Sequence, residues 1–120
     1  MATTITRIPL SGSTHGRGIK VTGTTSGAAV TLHTGTSSTT DCDIVTLYAH
    51  NSSGSSTTLT LGWGGTTSPD DLIVLAIPAQ SGLTIVAPDN VIRNSLAVTA
   101  WAGTANVLTI HGYVNRVATA

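Results

Sequence analysis

Residues 44–51 read IVTLYAHN and residues 57–63 read TTLTLGW, with the turn-forming stretch NSSGSS joining them over residues 51–56. In the first stretch Val45, Leu47 and Ala49 fall on one side and Thr46, Tyr48 and His50 on the other. In the second, Leu59, Leu61 and Trp63 alternate with Thr and Gly. Alternation of this kind marks a half-buried β-strand, and the Ser/Gly turn makes a hairpin the expected arrangement. Further on, residues 72–77 (LIVLAI) form a continuous apolar run, as expected of a strand covered on both sides. Residues 78–82 (PAQSG) then turn the chain, residues 83–86 (LTIV) return, and Pro88-Asp89-Asn90 is expected to end that strand. Residues 96–102 (LAVTAWA) and 107–117 (VLTIHGYVNRV) read as a last hairpin across Gly103-Thr104-Ala105. Its second strand points Leu108, Ile110 and Val114 inward and Thr109, His111 and Tyr113 outward.

Working back from residue 43, the chain becomes polar and turn-rich, with apolar pulses at Ile5, Ile8 and Leu10, at Ile19 and Val21, and at Val30 and Leu32. Residues 1–12 read as an extended N-terminal arm or edge strand, because Pro9 lacks the N–H that a central ladder position needs. Residues 13–120 then form the domain. The composition agrees with an all-β class. Glu and Phe are absent and Lys20 is the sole lysine, so the straight-chain residues that fill exposed helix positions are nearly missing. Thr and Val, stiff at χ1, suit a pleated sheet. Eight or nine short strands with regular turn signals imply a single-domain antiparallel β-sandwich. A jelly roll of two four-stranded sheets fits best, and an immunoglobulin-like topology is the alternative.

Only 8% of the residues are charged and the net charge is zero, against about a quarter charged in an ordinary soluble domain. No basic patch is available for a phosphate backbone, which argues against direct nucleic-acid binding. A surface so poor in charge has little colloidal repulsion and tends to associate, as expected of a subunit covered by neighbouring copies. Cys42 is the only cysteine, so no intramolecular disulfide can form. No signal-peptide pattern and no apolar run of membrane-spanning length is present, which implies synthesis in a cytoplasm and no membrane partner.

The acid–base inventory is small: His15, His33, His50 and His111, with Asp41, Asp43, Asp70, Asp71 and Asp89. No two histidines have a metal-binding spacing and Cys42 has no nearby His, so the histidines read as surface or interface groups. Asp41-Cys42-Asp43 and Asp70-Asp71 lack the pattern of a calcium loop and read as turns. With all the aspartates assigned to loops, nothing suggests a glycosidase pair, and neither a nucleophile elbow nor a phosphate-binding loop is present. No catalytic residue, cofactor or metal is expected. Among the aromatics, Trp63 is in register with Leu59 and Leu61 and reads as core. Trp101 and Tyr113 face outward and are the candidate interface anchors.

Several stretches together resemble a known class. Residues 46–51 (TLYAHN), 59–71 (LTLGWGGTTSPDD), 77–83 (IPAQSGL) and 110–116 (IHGYVNR) are similar to small structural proteins of tailed phages, and within that class to capsid decoration (cement) proteins. The resemblance covers roughly residues 43–117 and rests on turns and strands. It implies a β-sandwich, often a jelly roll, that sits on the outside of a phage head as a homotrimer and clamps the major capsid protein; it transfers no functional residue. Beside it stand two other readings, a tail, fibre or spike-base component and a carbohydrate-binding module using Tyr48, Trp101 or Tyr113. For attachment to the shell, Ile5, Arg7, Ile8 and Leu10 are the expected contact residues, adding a strand to an exposed sheet edge.

Overall fold

The computed structural model describes residues 3–119, which form nine strands and one 3₁₀ turn, Ser26–Ala28. The strands are β1 (Thr3–Pro9), β2 (Ile19–Lys20), β3 (Val30–Thr34), β4 (Cys42–Asn51), β5 (Thr57–Trp63), β6 (Leu72–Ile77), β7 (Thr84–Ile92), β8 (Ala97–Ala102) and β9 (Leu108–Thr119). They build two packed antiparallel sheets. The first runs β1-β9-β4-β7, and β2 continues the line of β1 along the same flank of β9. The second runs β3-β8-β5-β6. The chain is an all-β sandwich, and among the described residues no helix is long and apolar enough to cross a membrane.

Alternation places the core as expected. Val45, Leu47 and Ala49 of β4, Leu59 and Leu61 of β5, and Leu108, Ile110 and Val114 of β9 are all withdrawn from water. Val98 and Ala100 of β8 and Leu32 of β3 meet them from the second sheet. Each fully buried Leu, Ile or Val contributes about 1.5–3 kcal/mol, which is what holds the two layers face to face. Inward position 112 is glycine because a Cβ there would strike the Thr46 carbonyl of the adjoining strand. Trp63 packs half-buried against this core, and its indole donates to the Val91 carbonyl across the gap between sheets at 3.0 Å.

Both expected hairpins are instead arches between layers. β4 lies in the first sheet and β5 in the second, and β8 and β9 are divided in the same way. An apolar face is buried equally well by folding back beside a neighbour or by crossing over to face it, so alternation and turn residues do not distinguish the two. The β4–β5 arch is organised by Asn51, whose side chain is fully buried. Its amide donates to the carbonyls of Ser55 and Ile77, and its oxygen accepts from the amide and hydroxyl of Ser53.

Two further expectations are corrected. β6 is an edge strand beside β5, with Ile73, Leu75 and Ile77 toward the core and Val74 59% exposed, so its apolar run is not covered on both sides. β7 does not end at Pro88 but continues to Ile92 through irregular register opposite residues 45–48 of β4. Pro88 is tolerated because β7 is also an edge, where a missing N–H leaves no ladder bond unmade. At the irregularity Asp89 takes a φ of +46°, and the Thr46 hydroxyl accepts from its N–H and donates to its carboxylate.

Asn51→Ala should strip the arch of four hydrogen bonds while leaving buried main-chain groups unpaired. The expected loss is about 1–3 kcal/mol, measurable as a lower urea midpoint. An unchanged midpoint would show that the arch closes without it.

Candidate interaction surface

The most elaborate polar arrangement in the molecule is buried. Asp43, the second residue of β4, is fully withdrawn from solvent and accepts four hydrogen bonds. Arg116 of β9 grips it with two, Nε to Oδ1 at 2.7 Å and Nη2 to Oδ2 at 2.9 Å. His33 of β3 donates from Nε2 to Oδ2 at 2.7 Å, and the Thr36 amide adds a bond of 3.1 Å. The histidine tautomer follows from its other partner, since the Ser11 amide donates to Nδ1 and leaves Nε2 to carry the hydrogen. Asp43 and Arg116 belong to the first sheet and His33 to the second, so the cluster fastens the two layers together near one end.

A Ser, a His and an Asp thus lie in sequence of contact, but not as a nucleophile and its base. The Ser11 main-chain N–H, rather than its hydroxyl, meets His33, and the Ser11 hydroxyl accepts from the Thr34 amide. In a hydrolase triad the imidazole must receive the hydroxyl proton. Here the arrangement does structural work. Burial by itself raises the Asp43 pKa, but the hydrogen bonds from Arg116 and His33 and the guanidinium charge outweigh it and hold the carboxyl below its ordinary value of 3.8. The reading of Asp43 as a turn residue and of His33 as a surface group is therefore corrected; His33 is 1% exposed. Both belong to a buried network whose members satisfy one another, as such groups must in a low-dielectric interior.

The outward side of the first sheet has the opposite character. The registers set Ile44 between Asn115 of β9 and Val91 of β7, and Tyr48 between His111 and Ile85. Tyr113 lies opposite Thr46, and Cys42 opposite Val117, which in turn pairs with Ile5. Ile5 is 67% exposed, Ile85 53% and Val91 50%. In a sandwich standing alone this side alternates to polar residues. The charge it carries is sparse. The Arg7 guanidinium lies over the Tyr113 ring, 4.3 Å from its centre, and donates to Asn115 at 3.0 Å, so this cation is stacked on an aromatic face. Beside Val91, a hollow of about 350 Å³ is lined by Trp63, Ile92 and Leu96 together with Arg93 and Asn94.

The residues expected to mediate contact are divided by the fold. Ile5, Arg7 and Tyr113 meet on this outward side. Ile8, opposite Val114, packs inward against the core, and Leu10 is a core residue only 2% exposed, so neither is presented to a partner. Trp101 is half-buried on the outer side of the other sheet, opposite Thr60, and does not join Tyr113. Tyr48, expected as a contact only in the carbohydrate-binding alternative, belongs to the surface, as do Ile44, Ile85 and Val91, which were not singled out from sequence. Their signal is an apolar residue in the outward phase of a strand. Among the described residues no three of His, Cys, Asp or Glu gather as metal ligands would. No family model, curated protein or solved structure matches the chain.

Asp43→Asn should lower stability by about 3 kcal/mol or more, because it leaves Arg116 and His33 facing a neutral amide in place of a charge. Since the folded carboxyl titrates below the unfolded one, its contribution is complete above about pH 4 and is lost as the pH falls through the folded value. Thermal melts between pH 7 and pH 2 should show a fall in acid that is shallower in Asp43→Asn. Equal acid slopes would contradict the role given to this carboxylate.

Proposed function

We propose that the chain is a structural virion subunit, a capsid decoration (cement) protein that binds the outside of a phage head as a homotrimer and stabilises contacts between major capsid subunits. The observation that carries this reading is the outward side of the first sheet, where Ile5, Ile85 and Val91 are exposed and Ile44, Tyr48 and Tyr113 stand among them, interleaved with Asn115, Thr46 and His111 rather than with a run of charges. Large apolar side chains gathered on a solvent-facing side mark an interaction site. Together with a charge content of 8%, it favours a protein whose surface is spent on neighbours. On a shell, many copies of one modest contact sum to a strong hold.

The strand order supports the jelly-roll reading. With β1 and β2 counted as one interrupted strand, the sheets interleave as first-eighth-third-sixth and second-seventh-fourth-fifth. That order fits the wrapping of two Greek keys better than an immunoglobulin sandwich, which would place its first two strands side by side. In this reading the protein is made in the bacterial cytoplasm, resides on the capsid surface, touches neither nucleic acid nor membrane, and has no catalytic role. Attachment falls to the outward side, with Ile5 and Arg7 at one margin of it.

A cryo-electron microscopy map of the intact particle tests this directly. Hundreds of copies on the head are expected; a dozen or fewer at the tail would replace the reading with the tail-component alternative. Ile85→Asp and Ile5→Asp, both at exposed positions, should fold normally yet lose occupancy on heads. Full occupancy with both substitutions, or glycan binding abolished by Tyr48→Ala or Tyr113→Ala, would redirect the surface toward another partner.

A further inference from the structure

A two-sheet sandwich has four edge strands, and here two are guarded and two are not. Along β3 the Gly12 amide donates to the Leu32 carbonyl, and the register with β8 shifts between Thr31 and His33. β7 is interrupted by Pro88 and by Asp89 at positive φ. These are devices by which natural sheets discourage edge pairing. β6 has none along its length, and β1 has only Arg7 and, at its last position, Pro9. β1 keeps unbroken register with β9 from Thr3 to Pro9, and β6 keeps unbroken register with β5 while carrying six apolar residues without a charge or proline. An open, straight, apolar edge such as β6 is a template for another strand.

The two open edges lie on opposite sides of the molecule and in different sheets. β1 and β2 share the outer flank of β9 and sit on the side of β3, while β6 lies on the side of β7. Charge is divided in the same way. Residues 1–40 contain Arg7, Arg17 and Lys20 and no acid. Asp70 and Asp71 lead into β6, and Asp89 lies in neighbouring β7, with Arg93 just beyond it. Among the described residues Arg7, Arg17, Lys20, Asp70 and Asp89 make no ion pair within the subunit.

We infer that β1 of one copy pairs antiparallel with β6 of the next, joining the first sheet of one subunit to the second sheet of its neighbour. The partner is a second copy because both halves of a complementary contact, in strand length and in charge, are present on one chain. Charge sets the direction. With Ile5 opposite Leu75, an antiparallel alignment brings Arg7 beside the Asp70-Asp71 end, whereas a parallel one carries it to the far end at Ile77. Such a contact is head-to-tail and closes into a ring when the rotation allows. It deepens the reading of the chain as a repeated subunit and rests on it, and leaves Ile44, Tyr48, Ile85 and Val91 of the outward side open for the shell.

Sedimentation of the purified full chain tests the contact. The wild type should form an oligomer of defined mass at micromolar concentration. Val74→Lys, at an exposed position on β6, should yield a folded monomer. Arg7→Glu should weaken association by about tenfold or more, and Asp70→Arg added to it should restore most of that loss. An oligomer unaffected by Val74→Lys, or a charge exchange that restores nothing, would overturn the β1–β6 contact while leaving the repeated-subunit reading in place. A wild type that stays monomeric in solution yet decorates heads would overturn the contact alone; one that does neither would overturn both.

Discussion

The buried Asp43 carboxylate is the constraint around which one end of this sandwich is arranged. A charge withdrawn from water must be met by donors, and four arrive from three directions: β9 through Arg116, β3 through His33 and the following loop through Thr36. Dispersion and hydrophobic burial press the sheets together but specify their mutual position weakly, since apolar contacts are non-directional. A bidentate guanidinium and an oriented imidazole are directional. The cluster therefore fixes where the short, irregular β3 lies over β4 and β9. Because His33 is itself held by the Ser11 amide, it also ties down the segment that leads out of β1.

From that arrangement the two surfaces of the first sheet acquire different tasks. Inside, the strands supply aliphatic packing and the Asp43 cluster. Outside, the same strands present Ile44, Tyr48, Ile85, Val91 and Tyr113 with little charge between them. Solubility is then left to the Thr and Ser hydroxyls of the loops and of the second sheet. Such a division suits a subunit with one side against a larger body, and the open edges β1 and β6 lie at right angles to that side. Face and edge can thus serve different neighbours, with Ile5 and Arg7 at the margin the two share.

Much of this was legible in the chain. Alternation placed Val45, Leu47, Ala49, Leu59, Leu61, Leu108, Ile110 and Val114 in the core, because side-chain direction along a strand depends only on the pleat. The same periodicity held an unread clue: Asp43 is in phase with Val45 and Leu47, and Arg116 with Val114, so each charge was marked as inward-facing. Their union, and the part played by His33, could not be read. β4 and β9 meet across 73 residues of sequence, and the irregularity in β3 shifts His33 out of simple alternation.

Local sequence determined the all-β class, the extent of most strands and which residues of each face inward, since these follow from backbone geometry and the aversion of apolar groups to water. Only the tertiary structure decided which strands are neighbours. Residues 51–56 and 103–105 reverse the chain equally well as hairpins or as arches, and the difference lies in partners distant along the chain. That choice made β6 an edge rather than a covered strand, placed Leu10 in the core, and set Tyr113 and Trp101 on opposite sides of the molecule. An interaction surface is a property of neighbouring strands, so it became visible only once their order was known.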